Sequence, residues 1–522
     1  MSQNPSLSAP MRLKLHTVLA FLCIAVSAHG QIDTNRPVRP MSLQEAIRLA
    51  LENNLQLARV RYEPQLAQFR LGASYAYYEP VFDAFAEHRY SVREGQFNAA
   101  IGLTPSSQTD SDTFGGGLTG VLPFTGLRYA IDSAFNHVTG EAFSRGTVDD
   151  YSADVGIILR QPLLRDAWID QQRLNIKLAK IDVKISENVV MMRVMEIVNA
   201  VQQSFYELLG ALDAVKAREI SVSLADRLLQ ENRKRVEVGT MAPLDEKQAE
   251  SESALRRAEL IQARSDVTRI ENILKSLISN NYEQWHEVTI IPQEKLLAMP
   301  QTYDLQESWA NGLALRPDYN EAKERLERQG IVVKYTRNQL FPALDLTGSY
   351  GRAGFDNREF ISTNNIRDSS FSGTLNDIRD DNNPRYSYGV VLTVPLTFRA
   401  ERARHKESKA LLAQSKLDLQ IVHQNVLIGI DDAMKAARAA YERAQATRAA
   451  REFAQEALDA EQKKLDNGRS TSFIVLQLQR DLTDARAQEI DALSDYNTAL
   501  SALYFREGTI LKKNNVQVEI DK

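Results

Sequence analysis

The sequence predicts a mainly α fold with a membrane β part, in which long helical hairpins are interrupted by antiparallel strands and the whole plan is laid out twice. Three observations predict it. Residues 163–238 and 396–467 contain no proline and one glycine each, Gly210 and Gly429, and apolar residues such as Leu174, Leu178, Ile181, Ile185, Val189 and Met192 recur at helical spacing. Between the helical stretches a proline marks an abrupt switch to period-two alternation, as in QLFPALDLTGSY at Pro342 and YYEPVFDAFAEHRY at Pro80. The chain also matches itself. A shift of about 262 positions puts Leu43, Gln44, Glu45, Pro80 and Asp83 on Leu305, Gln306, Glu307, Pro342 and Asp345. A shift of about 229 positions puts Gly239, Gln248, Arg257, Ile261 and Asp266 on Gly468, Gln477, Arg486, Ile490 and Asp495.

Residues 1–30 have the form of an export signal: Arg12 and Lys14, an apolar core over residues 15–26, then small residues suited to cleavage after Ala28 or Gly30. A core of about 12 residues is too short to span a bilayer. Cys23, the only cysteine, lies inside it, and Leu22 is too large for a lipoprotein cleavage site, so the mature chain is expected to carry no thiol. No other apolar run reaches about 18 residues, which leaves a closed β-barrel as the route into a membrane.

A first repeat is expected over residues 41–290, as helix, strands, long helix and short helix. An irregular equatorial linker with Pro292 and Pro300 follows at 291–304, then a second repeat at 305–510 and a tail at 511–522. At about 1.5 Å per residue each long helix exceeds 100 Å. Shorter helices at 244–285 and 305–340 together match the first long helix in length, and those at 471–507 and 43–78 match the second. Each such pair, stacked end to end, is expected to partner its long helix in one rod. Pro80 and Pro342 should mark helix becoming strand, and Pro162 and Pro395 strand becoming helix, because proline lacks the helical donor and restricts its predecessor. Gly239 and Gly468 end the long runs as C-caps.

The strand regions carry Tyr90, Tyr129, Phe135, Tyr151, Tyr350, Tyr386 and Tyr388, candidates for membrane-interface aromatics. At least two strands are expected per half. The first half holds an extra hairpin candidate, residues 115–122 and 127–137 around PFTG, and the second a polar loop at 355–384.

Net charge is −5 with both signs interspersed, which argues against nucleic-acid binding. Gly115, Gly117 and Gly120 have dinucleotide-motif spacing, yet strand-like residues follow where a helix is required. There is no GxxxxGK, HExxH or CxxC, and the histidines lack ligand spacing, so no cofactor, metal or enzyme activity is expected.

The chain resembles the TolC family of outer-membrane efflux proteins over nearly its whole mature length. SLQEAIRLALENN at residues 42–54, the four prolines, and VEVGTMAPLDEKQAE with its echo LDNGRSTSFIVLQLQ carry the resemblance. It implies a homotrimer whose strands close a β-barrel in the outer membrane of a Gram-negative bacterium, continued by a periplasmic α-barrel. It also implies a periplasmic membrane-fusion adaptor, an inner-membrane transporter and outer-membrane lipid as partners, and passive export of substrates in a tripartite efflux or type I secretion system. Gly239, Thr240 and Met241, with Gly468, Arg469 and Ser470, would form the periplasmic tip and adaptor contact. Some members carry acids six and nine positions after the second glycine. Here those positions are Ile474 and Gln477, while Asp245 holds the sixth position after the first, so these three are the candidate aperture ring. Leu55 stands where the family usually has proline, whereas Arg316 and Pro317 keep the pattern. A periplasmic coiled-coil adaptor or a structural spacer is the alternative; duplication combined with strand pairs argues against both.

Overall fold

The computed structural model describes residues 37–518 apart from residues 96, 99–101, 104–105, 143–145, 358, 363–364 and 468. The expected export signal and Gly468 lie outside the described residues.

A short strand β1 (Val38–Met41) leads into α1 (Leu43–Asn53), α2 (Leu55–Val60) and α3 (Tyr62–Ser74). The SLQE motif works as an N-cap here, since Ser42 Oγ accepts from Glu45 N at 3.2 Å. Strands β2 (Val81–Arg93), β3 (Ser107–Val121), β4 (Arg128–Ala142) and β5 (Gly146–Pro162) follow. The 67-residue α4 (Gln171–Glu237) then turns back into α5 (Pro243–Ile278). After β6 (Thr289–Pro292), the second half runs through α6 (Leu305–Leu315), α7 (Pro317–Asn338), β7 (Ala343–Asn357), α8 (Phe371–Arg379) and β8 (Pro384–Thr393). It closes with the 68-residue α9 (Arg399–Asp466) and α10 (Ser472–Arg506).

Six strands form one antiparallel sheet in the order β8-β7-β5-β4-β3-β2. Both strands of the extra hairpin belong to it, so the first half supplies four strands and the second two. Their PFTG turn is held at the helical end of the sheet: Gly126 takes φ +73°, Leu122 N donates to Leu127 O at 2.8 Å, and Arg173 Nε donates to Pro123 O at 3.2 Å. Gly115, Gly117 and Gly120 all lie inside β3, away from any strand-to-helix turn.

Pro80 and Pro342 each directly precede a strand. Pro162 differs from the expectation, because it ends β5 in register with Asp345 and does not start a helix. Leu163 N then donates to Leu344 O, and Asp166 N to Asn338 Oδ1 at 2.9 Å, so a pinned turn intervenes. The helix begins only where Asp170 Oδ1 accepts from Arg173 N at 2.7 Å. Pro395 likewise lies past the end of β8, ahead of α9 at Arg399.

The helices stand as four columns, with the short ones stacked differently from the expected pairing. α5 continues into α1–α3, where Asn54 Nδ2 donates to Leu277 O at 2.9 Å. α10 continues into α6 and α7, where Arg316 Nη1 donates to Arg506 O at 3.2 Å. The linker makes this exchange possible by crossing α10: Tyr496 Oη donates to Met299 O and Asn497 Nδ2 to Leu297 O. It starts from β6, which pairs in parallel with β1, a strand the sequence reading missed. Glu271, buried at 6% exposure, accepts from Ile290 N at 2.7 Å and lies beside buried Lys275, fixing that start.

The main core sits at mid-height, where Ile47, Leu57, Val198, Phe205, Leu274 and Ile510 are buried together. Both half-height breaks have one geometry. Asn54 (φ −67°, ψ 118°) and Arg316 (φ −73°, ψ 123°) are single extended residues between two helices. Arg316 is followed by Pro317 at the first helical position, whereas Asn54 caps α2 with its own side chain, accepting from Leu57 N at 3.0 Å. That cap compensates for the absent proline at Leu55.

Candidate functional site

Residues directly opposite one another in an antiparallel sheet project to the same face. The register therefore assigns every side chain of the six strands. One row reads Phe82, Leu118, Ile131, Ile157, Tyr350 and Tyr386 from edge to edge. The next row, on the other face, reads Asp83, Gly117, Asp132, Gly156, Gly351 and Arg385. The first face continues with Phe114, Val155, Leu346, Val390 and Leu392, and all seven aromatics singled out from the sequence fall on it. The second continues with Glu87, Arg89, Asn136, Asp154, Thr347 and Ser349.

A sheet with water on both sides gains nothing by keeping one face apolar across six strands. One lining an aqueous channel in lipid requires that division. At the helical end of the polar face, Arg160 Nε lies 3.1 Å from Asp345 Oδ2, and Asp345 is 5% exposed. Helix α8, in the loop read as merely polar, lies on the apolar face: the Phe371 ring centroid is 6.0 Å from Phe114 and 5.5 Å from Phe135. Ser370 caps α8 by accepting from Gly373 N, and Asp356 Oδ2 accepts from Ser370 N and Oγ.

The far end of the columns consists of two helical turns. Gly239 takes φ +75°, the left-handed conformation that disfavours a side chain, with Gly239 N on Val236 O at 3.0 Å and Thr240 N on Arg235 O at 2.9 Å. Met241 is half-buried and Thr240 exposed, and Thr240 Oγ1 also donates to Arg235 O. Asp245 lies in the first turn of α5, partly exposed, where an acid complements the helix dipole. In the second turn Arg469 N donates to Lys464 O at 2.8 Å and Ser470 Oγ to Glu461 Oε1 at 2.6 Å. Ile474 and Gln477 are both exposed on α10. Val238, Leu244, Phe473 and Ile474 give this end an exposed apolar rim.

What the sequence reading missed is the charge cluster behind the rim. Glu252 on α5 is 4% exposed, and its carboxylate meets Arg256 Nη2 at 2.8 Å on its own helix and Arg480 Nη2 of α10 on the other hairpin. Arg256 also reaches Glu259 at 2.9 Å, and Glu259 accepts from Arg218 at 2.7 Å. Burial pushes the Glu252 carboxyl up, but the hydrogen bond from Arg480 and the charges of Arg256 and Arg480 outweigh it and hold the acid below its ordinary range. Nearby, Ser221 Oγ and Thr483 Oγ1, 3.2 Å apart, add a second polar link between hairpins. The only sequence signal is a Glu and an Arg four apart on one helix, which is common on solvated faces. Among the described residues no helix is long and apolar enough to cross a membrane.

The family model for outer membrane efflux proteins matches residues 46–280 and 311–509. Outer membrane efflux protein BepC of Brucella suis is 26% identical over 313 residues, 58% of this chain, and the match spans 63% of BepC. Among solved structures, the Campylobacter jejuni CmeC outer membrane channel aligns over 91% of this chain and 90% of its own, with a TM-score of 0.62 and 16% identity. The Neisseria gonorrhoeae MtrE outer membrane channel, in its open state, aligns over 90% and 89%, with a TM-score of 0.61 and 16% identity. At such identities these likenesses concern the fold.

Proposed function

Because the chain belongs to the outer membrane efflux protein family, we propose that it is a passive outer-membrane exit duct, receiving substrates from an inner-membrane transporter through a periplasmic adaptor. The observation that carries this reading is the two-faced sheet set on four helical columns. Its apolar face suits lipid, its charged and glycine-rich face suits a water-filled lumen, and neither needs a catalytic group. A single chain leaves both sheet edges open, which lipid does not tolerate, so identical copies must close the wall. A trimer is the proposed assembly, with residues 41–290 and 305–510 as duplicated halves. An adaptor or spacer has no use for a face such as Phe82 to Tyr386.

Gating is assigned to the two turns. The Glu252–Arg480 contact joins the hairpins behind the tip, and parting it lets α4–α5 move relative to α9–α10 without chemistry. Asp245, Ile474 and Gln477 are placed at the aperture. Gly239 to Met241 and Gly468 to Ser470, with the apolar rim, are placed at the adaptor contact.

The test is outer-membrane fractionation, then electrophoresis with and without boiling. A heat-sensitive trimer in the outer membrane is expected; a soluble periplasmic monomer would sink the duct. Gly468→Pro should then impair export in a strain lacking its own channel while trimers persist, and unchanged efflux would remove the tip assignment.

A further inference from the structure

The helical and sheet portions of one copy must subtend the same arc of the wall if they continue into one another without a step. Four helical columns at interaxial distances of 8–10 Å span about 32–40 Å of circumference. Six strands spaced about 4.8 Å apart and tilted about 40° span about 38 Å, whereas four strands would span only about 25 Å. This match is independent of the number of copies. The hairpin of β3 and β4 supplies the difference.

We propose that this hairpin is part of the membrane wall, so that three copies close an eighteen-stranded barrel as wide as the helical tube below it. The width therefore imposes no constriction on cargo that the tube admits; a barrel of sixteen to eighteen strands leaves an aqueous channel. The hairpin obeys the same division of faces as its neighbours. Phe114, Leu118 and Ile131 stand on the apolar side, and Thr113, Asp132 and Asn136 on the polar side. Its turn is tied to the helical base by Arg173 and by Gln161 Nε2, which donates to Thr125 O at 2.9 Å.

The open edges accept a second copy and nothing else the geometry requires. An even number of antiparallel strands makes β2 and β8 run in opposite directions, so β8 of one copy beside β2 of the next continues the alternation. Their 13 and 10 residues suit a tilted membrane strand. On the β8 edge Tyr388 and Val390 are 85% and 61% exposed, as expected of a strand awaiting its neighbour.

The inference rests on the trimeric duct proposed above, and the experiment separates the two. Single-cysteine variants on a Cys23→Ser background, reconstituted in phosphatidylcholine vesicles, are treated with a water-soluble maleimide. Thr113→Cys and Asp132→Cys should react, and Leu118→Cys and Ile131→Cys should be protected at least tenfold. Equal labelling of all four in heat-sensitive trimers would put the hairpin outside the wall and leave the duct intact. Deleting residues 107–142 should narrow the barrel seen by electron microscopy to about two-thirds of its width with trimers retained; an unchanged width would overturn the proposal. Monomers of the intact chain would remove both readings.

Discussion

In the proposed duct the sheet and the helical tube are two parts of one wall, yet they sort polar from apolar residues along different axes. In the sheet the sorting runs from one face to the other, so neighbours such as Ile157 and Ile158 project to opposite sides. In the tube it runs around the wall. Apolar side chains such as Val475 and Leu482 fill the seams between columns, and the charged contacts that matter, such as Glu252 with Arg480, cross from one hairpin to the other. The sheet is therefore sensitive to which face a residue occupies, and the tube to which seam.

The largest effect should come from setting the two neighbours against each other. Ile157→Arg places a charge on the apolar face and should cost up to about 2–4 kcal/mol, read as lost outer-membrane assembly. Ile158→Arg, on the polar face, should assemble normally. Equal damage from both would break the comparison.

Next is the seam. Glu252→Gln leaves Arg256 and Arg480 facing a neutral partner and should cost about 1–3 kcal/mol in thermal unfolding of the helical part. Acidity provides a sharper version. The folded acid is held below its unfolded value, so its contribution is present above the unfolded carboxyl range and is lost as pH falls through the folded one. Acid unfolding of the wild-type chain should include that loss, and the Gln variant should lack it. Identical pH profiles would remove the cluster from the tip's stability.

Two smaller effects concern backbone breaks. Asn54→Ala removes the cap of α2 and should cost about 1 kcal/mol, measured by denaturant midpoint, while Leu55→Pro in the same variant should recover part of it. Gly239→Ala has open space around the added methyl group, so only the left-handed backbone resists it, for about 1 kcal/mol. It should alter hydrogen exchange near the turn and leave the sheet untouched.

These contrasts also explain what was legible in sequence. Alternation after Pro80 and Pro342 exposed the strands, whereas the shared face of all seven aromatics follows from the pairing register between strands, which period two within each strand does not fix. The helical stretches were equally plain, since neither contains a breaker. Stacking of the short helices was not legible: α5 and α10, at 36 and 35 residues, fit either column, and the choice rests on a linker crossing that no periodicity encodes. The start of α4 at Gln171 was missed because the turn after Pro162 is held by Asn338 and Leu344, both distant in sequence. Glu252 and Arg480, 228 positions apart, look like ordinary surface charges until the hairpins meet.

The crossing of the linker also sets an order in time. Gln202, midway along the first long helix, donates to Asn514 across 312 positions, and Ile510 is fully buried in the core that begins with Met41 and Ile47. The middle of the molecule therefore cannot close until residues 510–514 have arrived. Contacts that remote impose slow ring closure and a long interval with apolar seams uncovered. A chain built this way has to be kept unfolded and escorted until that segment has been made and exported, and losing a few residues near Ile510 should harm its maturation far more than their number suggests.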